Sequence, residues 1–482
     1  VKSPIIGGIS ISRARDESYN RCLNLYPEIL ETKDGKSKGV LYGCPGLDLL
    51  STVGTGPIWG AYATPSGALY VVSGNTLYFV TTAWVGEAIG TIGVVTGPCQ
   101  MVANATQLLV CTGIALWCYS FTTGALTNPL TATDDTAVNV MTSQDGFALV
   151  NEVGTNIFYQ SNLNDFSTFG GLTFSSADST PDQIVTMYDI HREVWLFKER
   201  VTEVWVNAGL ANFAFQRLEG IQLPVGCAAP FSIARMGDSL VWLGCDEQGQ
   251  GVVYMSNGYT AQRISTHSIE YLIKKWAEIS DAIGYVYQDE GHFFYVLTGP
   301  TGNQTLVYDI TASTLAGFSL WHERASFSNG SFNRHQGNCH AFAYGVHVIG
   351  DYQTGNLYKF DLDTYTDNGN TRKWLRSWRA FQEQPESTAR FNALEIQCKT
   401  GINIPDGTNP QFVLRWSDDG GDTWSNEMWA GGNEPGNTGT RVIFQRLGQT
   451  KRGGGYDRQF ELSGTDPVPV AIFAADLDVE PA

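Results

Sequence analysis

The sequence predicts an all-β protein: a β-propeller body of about six blades with one inserted helix, followed by a β-sandwich-like C-terminal domain. Three observations predict it. Glycine contributes 53 of 482 residues and aromatic side chains 12%, while charged residues make up only 16%. That is a composition of tight turns and pleated apolar faces. Short alternating strands recur in triplets, at a period that starts at roughly 40 residues and lengthens as loops grow. Beyond residue 365 this spacing stops, and a different set of alternating strands begins.

Residues 1–50 read as an N-terminal arm and closing-strand segment. The propeller spans 51–365. Its first triplet is 58–63, 68–72 and 76–80, joined by Pro65-Ser66-Gly67 and Ser73-Gly74-Asn75. Further triplets begin at residues 100, 138, 183, 230 and 282, with a weaker copy at 340–360. Period-2 alternation bounded by Gly, Asn and Ser identifies β-meanders, and meanders at this spacing are the signature of propeller blades. A helix is expected over Ser268–Ile279, with Ser268 as N-cap and Glu270 in the first turn. Ile269, Leu272, Ile273, Trp276 and Ile279 then share one face, which suits a helix docked on the β body. Residues 366–482 form the C-terminal β-rich domain, with strands expected at 391–399, 412–417, 441–447, 458–462 and 469–478.

Charge narrows the function. The formal charge is −18, and residues 39–191 contain no Lys or Arg against ten acidic residues. That opposes a nucleic-acid-binding surface. No run of apolar residues is long enough for a membrane helix. The start shows no basic segment leading into an apolar one, so no secretion leader is expected. The nine cysteines are scattered, odd in number and without a CxxC pair. They read as free thiols of a reducing cytoplasm.

The sharpest motif is Ser417, Asp419, Gly421, Thr423 and Trp424, the S-x-D-x-G-x-T-W pattern of the Asp-box. Such a box fixes a β-hairpin: an Asx-type turn sets the loop, glycine takes positive φ and the Trp packs beneath. It is a structural device, and a sialidase would also need a nucleophile, an acid and an arginine triad. Arg192, Arg200 and Arg217 lie too close together in sequence to supply a triad from separated blades. His335, Cys339, His340 and His347 lack zinc spacing. Asp361/Asp363 and Asp418/Asp419/Asp422 lack an EF-hand pattern, and Gly35-Lys36-Ser37 lacks the upstream glycine of a P-loop. No catalytic residue, metal or cofactor is expected. The most basic stretch, with Arg372, Lys373, Arg376 and Arg379, is expected to face a protein partner.

From about residue 20 to the end the chain resembles the tail-nozzle, or packaged-DNA stabilisation, proteins of short-tailed bacteriophages. The resemblance rests on Asn24-Leu25-Tyr26-Pro27-Glu28 with Cys44-Pro45-Gly46-Leu47, and on Glu203-Val204-Trp205 leading to Gly226 and Asp238 through Leu243. It continues in Gly350-Asp351-Tyr352-Gln353-Thr354-Gly355 with Tyr365 through Gly369, and from Leu414 through the Asp-box to Arg446-Leu447-Gly448 and Phe460 through Ser463. Lys451-Arg452-Gly453-Gly454-Gly455 departs from the family's more compact arginine-rich segment. The resemblance implies a structural virion protein, assembled in the host cytoplasm, that forms a hexameric ring below the portal and adaptor. It would help close the DNA exit channel and meet a needle or plug and fibres or spikes, while genomic DNA passes without specific binding. The contrasting reading is a tail-associated glycan-binding or sialidase-like propeller.

Overall fold

The computed structural model describes the chain except residues 15–17, 32–37, 130–136, 247, 382–387, 402–408, 432–435, 451–457 and 482. Among the described residues six four-stranded antiparallel sheets, and a four-stranded stretch of a ten-stranded sheet, follow one another as seven blades. Blades 1 to 6 occupy 58–91, 100–127, 141–176, 184–223, 234–263 and 283–328, each in simple up-and-down order. The first strands of successive blades pack on one another around the axis, as Ile58–Ala63 does with Gln100–Ala103 on one side and Gly337–Ala343 on the other. Many of the turns between first and second strands are tight. Asp145-Gly146, Glu290-Gly291 and Tyr344-Gly345 each place two residues at positive φ, the geometry that matches strand twist in a two-residue hairpin.

The count corrects the expected six to seven. The seventh copy looks weak in sequence because 337–361 holds only three of its strands. The fourth is Gly46–Thr52, which pairs antiparallel with Asn356–Asp361 and brings Leu47 opposite Phe360. The two ends of the propeller segment thereby close the ring.

Two sheets form the second body. One runs Val442–Gln449, Ala389–Cys398, Ala471–Pro481, Gly39–Gly43, Leu25–Ile29, with Lys2–Ser3 also on Ala471–Pro481. The other runs Met428–Gly431, Gln411–Ser417, Gln459–Gly464, Trp374–Arg379, Cys22–Leu23 and continues into Leu320–Ser328 of blade 6. Leu23 is the hinge of that continuity, pairing with Glu323 on one side and Leu375 on the other. The arm is thus built into the sandwich before it crosses to close blade 7. One buried core spans both bodies, with Ile269, Leu243 and Trp321 from the propeller side and Trp378, Phe391 and Phe460 from the sandwich. Fully burying a large apolar side chain of this kind contributes about 1.5–3 kcal/mol.

Helix α1 is His267–Ile273, shorter than expected, and its N-cap is Thr266, whose side chain accepts from the Ile269 amide. The Ser268 hydroxyl instead accepts from the Ile11 amide at 2.9 Å. The chain leaves the helix early because Trp276 is drawn into blade 6: its ring lies against Gly299 and Gly302, where a Cβ would come within 2.6 and 2.3 Å of it. A second helix, α2, Ile310–Ala316, joins the last two strands of blade 6, capped by Asp309 and ended by Gly317 at φ 77°.

Candidate functional site

The Asp-box forms the turn after Gln411–Ser417, in the sandwich rather than on a propeller blade. Ser417 Oγ donates to Asp419 Oδ1 at 2.6 Å and accepts from the Gly421 amide at 2.9 Å. Asp419 also accepts from the Thr423 amide at 2.8 Å and from the Thr423 hydroxyl. Burial alone would raise the Asp419 pKa, but these hydrogen bonds to its charged form hold it down at about 2. Gly421 sits at φ 89°, with Tyr19 3.0 Å from where a Cβ would be. Trp424 donates to Gly421 O at 3.1 Å, and the Arg415 guanidinium lies 4.7 Å from its ring centroid. The turn consumes the donors and acceptors that a ligand would need.

The basic cluster is not what its charge suggests. Trp374–Arg379 is an internal strand, paired with Cys22–Leu23 and Gln459–Gly464. Arg376 is buried and cannot face a partner. Its Nε donates to Ile5 O at 2.6 Å, and its Nη1 to Gly8 O at 2.9 Å and Arg21 O at 3.1 Å. Three carbonyls of the arm thus satisfy it, and burial pulls its pKa down. Arg372, Lys373 and Arg379 are half-buried. The Lys373 ammonium lies 5.7 Å from the Phe327 ring centroid. Lys451 and Arg452, like Gly35-Lys36-Ser37, lie outside the described residues.

The arginines of blade 4 are dispersed. Arg192 lies at the turn between the first and second strands and pairs with Asp145 at 3.2 Å. Arg200 lies at the next turn, hence at the opposite end of the sheet, and Arg217 on the outermost strand. Asp418 is taken by Arg458 at 2.7 Å, and Asp361 by Lys359 at 2.9 Å. His340 Nε2 and His347 Nδ1 are 2.9 Å apart, while His335 Nδ1 accepts from the Gly337 amide at 3.0 Å. Among the described residues no group of three or more His, Cys, Asp or Glu is arranged to hold a metal ion. All nine cysteines are free, and burial pushes the Cys111 and Cys227 thiols up to about 12. Among the described residues no helix is long and apolar enough to cross a membrane.

A cleft of about 1270 Å³ opens where blades 4 and 5 meet, between Val185, Glu199, Arg200, Val225, Asp246 and Tyr254. The Glu199 carboxylate accepts from the Gln183 amide group at 2.7 Å, and one Asp246 oxygen accepts from the amides of Gln248 and Gln250. These carboxylates are structural partners of their own loops. Around the propeller axis the inner strands carry Asp189, Asp289 and Arg235 as their charged residues.

Comparison with known families matches the whole architecture. The family model described as "Bacteriophage P22 Gp10, beta-propeller" matches residues 1–365, and that described as "Bacteriophage P22 Gp10, beta-sandwich" matches residues 373–480. No curated protein matches the chain. Among solved structures, the computationally designed Ika8 protein is 10% identical, covering 65% of this chain and 99% of its own at a TM-score of 0.40. The N-terminal domain of Nup159 is 8% identical, covering 69% and 97% at 0.42. The extracellular domain of BT4673 from B. thetaiotaomicron is 11% identical, covering 80% and 47% at 0.43. Likenesses at this level carry no functional argument.

Proposed function

This chain belongs to the bacteriophage P22 Gp10 family and is a structural protein of the phage virion tail, and from that premise we propose that it is one subunit of a ring-shaped nozzle. In this reading the ring is sixfold, extends the portal and adaptor channel, helps retain packaged DNA and anchors a needle or plug with fibres or spikes. The observation that carries it is that consecutive propeller and sandwich models of one family account for nearly the whole chain.

Physical chemistry supports the same reading. A propeller fused to a sandwich through one continuous sheet is a rigid block suited to bear load. A channel through which DNA must slide is poorly served by basic walls, since each phosphate contact adds salt-dependent affinity. A heterologous interface, using different patches on the two sides of a subunit, closes a ring when its rotation permits. Arg372 and Lys373, half-buried at the sandwich, could contribute to such contacts. The chain works without chemical catalysis in this proposal, and the Asp-box serves the fold.

Cryo-electron microscopy of intact tails tests it. A coaxial sixfold ring of this chain beneath the adaptor is the expected result; a single copy on the tail axis overturns it. The Asp-box motivates one further check. Purified protein is expected to leave sialosides and host polysaccharide unchanged, and turnover abolished by replacing one carboxylate outside the Asp-box, in a variant that still folds, would favour the glycan reading instead.

A further inference from the structure

The core between blades 6 and 7 is unlike the rest of the propeller. It is aromatic and apolar, built from Leu47, Tyr285, Tyr287, Phe294, Tyr358 and Phe360 among others, yet it encloses a cation. Arg324 is buried, and its guanidinium lies 5.2, 5.2 and 5.6 Å from the ring centroids of Tyr287, Phe294 and Phe360. Nη2 donates to the Tyr287 hydroxyl, but Nε and Nη1 have no hydrogen-bond partner. Among the described residues no carboxylate lies within ion-pair distance. Three imidazoles surround this site. His322 is fully buried, packs edge-on against Phe294, and has no partner for either ring nitrogen. His335 packs on Phe360, and His340 stacks on Tyr285 while sharing a hydrogen bond with His347. Five of the chain's seven histidines, His292, His322, His335, His340 and His347, lie in blades 6 and 7.

We propose that this cluster makes the ring-closing seam an acid-operated latch: lowering the pH frees the Gly46–Thr52 strand from blade 7 before other parts of the propeller open. Leu47 of the closing strand belongs to the same core as the Arg324 cage, so a charge added there acts directly on the closure. A second charge beside a buried, uncompensated arginine has no counter-charge to meet and no water to solvate it.

The surrounding groups fix the direction. Burial, then Arg324 and His292, hold His322 well below its ordinary value. Burial, then Arg324, Arg372 and Arg334, bring His335 down to about 3, and burial with His347 does the same for His340. From the other packed elements the cluster faces the neutral Tyr26, Cys44 and Cys339 and the carboxylates Asp289 and Asp367. Farther out, His292 lies between Asp309, at 2.6 Å, and Glu28.

An opened seam would return each imidazole to about 6.5. Below that value, and down to about 3 for His335 and His340, the open state binds protons that the closed state refuses, so closure weakens as pH falls. Asp367 opposes this. Burial raises it to about 6 in spite of Arg372 and Arg324, so the closed state gains a proton there between about 6 and its ordinary 3.9. Burial would lower His292, but Asp309 and Glu28 raise it, so its support for closure is complete below about pH 6.5 and is lost only as pH rises above that, which adds no slope at lower pH. Asp289 is raised by burial, and His347 is lowered by burial against Asp289; these smaller shifts oppose each other. Three imidazoles against one carboxylate leave a net uptake of about two protons on opening. The opening equilibrium therefore shifts about a hundredfold per pH unit between about 6 and 4.

Hydrogen–deuterium exchange on the full chain at pH 7, 6, 5 and 4, corrected for intrinsic rates, reads this directly. Protection of 46–52 and 356–361 is expected to fall about a hundredfold per unit below pH 6, while 100–176 in blades 2 and 3 holds. Equal retention in both regions, or earlier loss in blades 2 and 3, overturns the proposal. In the double variant His322→Phe/His340→Phe one imidazole faces one carboxylate, so the dependence is expected to vanish. A folded double variant that keeps the full dependence also overturns it, and the wild-type profile decides the question without the variant.

Discussion

Arg376 shows how charge misleads when it is counted without strand alternation. In 372–379 the sequence offers four cations, which suggests a solvated binding surface. In the structure Trp374, Arg376 and Trp378 share one face of an internal strand, and that face is covered by the arm. The signal available was the alternation itself: an arginine between two tryptophans at period 2 takes the tryptophans' environment. Replacing Arg376 with Met is expected to cost about 3 kcal/mol or more, because the carbonyls of Ile5, Gly8 and Arg21 lose a charged donor at once. Urea denaturation measures it. Arg376→Lys is expected to recover only part, since one ammonium does not reproduce the guanidinium fork; wild-type stability in Arg376→Met would refute the account. The Asp-box, by contrast, was legible because its residues act on one another within eight positions. The Arg324 cage was not, because its members come from distant segments and no local spacing betrays them.

At the scale of elements, the inner three strands of each blade were readable and the outer ones were not. Inner strands are buried on both faces and read as apolar runs, such as Leu69–Ser73 and Glu193–Lys198. Outer strands such as Gly86–Thr91 and Thr260–Arg263 are mostly exposed and polar, and so resemble loops. Helix α2, with β-branched and small polar residues, escaped notice although Asp309 and Gly317 mark its ends. A closing strand was expected within the first 50 residues, and the strand found, Gly46–Thr52, crosses that boundary; its partner could not be named from sequence, since strand pairing over some 300 residues leaves no periodic trace. Gly46 is where that pairing is most sensitive. A Cβ there would lie 2.2 Å from Thr364 O and 2.6 Å from Thr366 O. Gly46→Val is expected to destabilise the chain by about 1–3 kcal/mol through overpacking, and to expose blade 7 to limited proteolysis. Gly97→Ala is the control, because its Cβ would meet nothing within 4 Å. Equal resistance of the two variants would show that closure does not depend on this contact.

For the whole molecule, the sheet that runs from blade 6 through Cys22–Leu23 into the sandwich makes the two bodies one mechanical unit. Calorimetry is expected to show one cooperative transition in which propeller and sandwich melt together; two resolved transitions would mean that the bridge is weaker than its pairing implies. The distribution of charge over this unit leads to the last expectation. Blades 1 to 3 contain no Lys or Arg, and several of the cations elsewhere are engaged within the chain. Arg21 meets Glu323 at 2.8 Å, Arg263 meets Glu270 at 2.6 Å, Arg441 meets Glu395 at 2.5 Å, and Lys198 lies between Asp182 and Glu203. Arg324 and Arg376 are buried. Duplex DNA gains affinity chiefly by exchanging condensed counterions for protein cations, with a slope of log K against log salt near −0.9 for each phosphate neutralised. A chain with a net charge of −18 and no cation in three successive blades offers DNA little counter-charge there, and its overall repulsion is screened only beyond about 8 Å at physiological salt. The purified protein is therefore expected to bind duplex DNA more weakly than about 100 μM at ~0.15 M salt, with a salt slope of small magnitude. Fluorescence anisotropy across a salt series measures both quantities. Tight binding with a steep slope would place a basic track on a surface that the internal ion pairs argue is neutral to acidic, and would oppose a wall along which DNA slides freely.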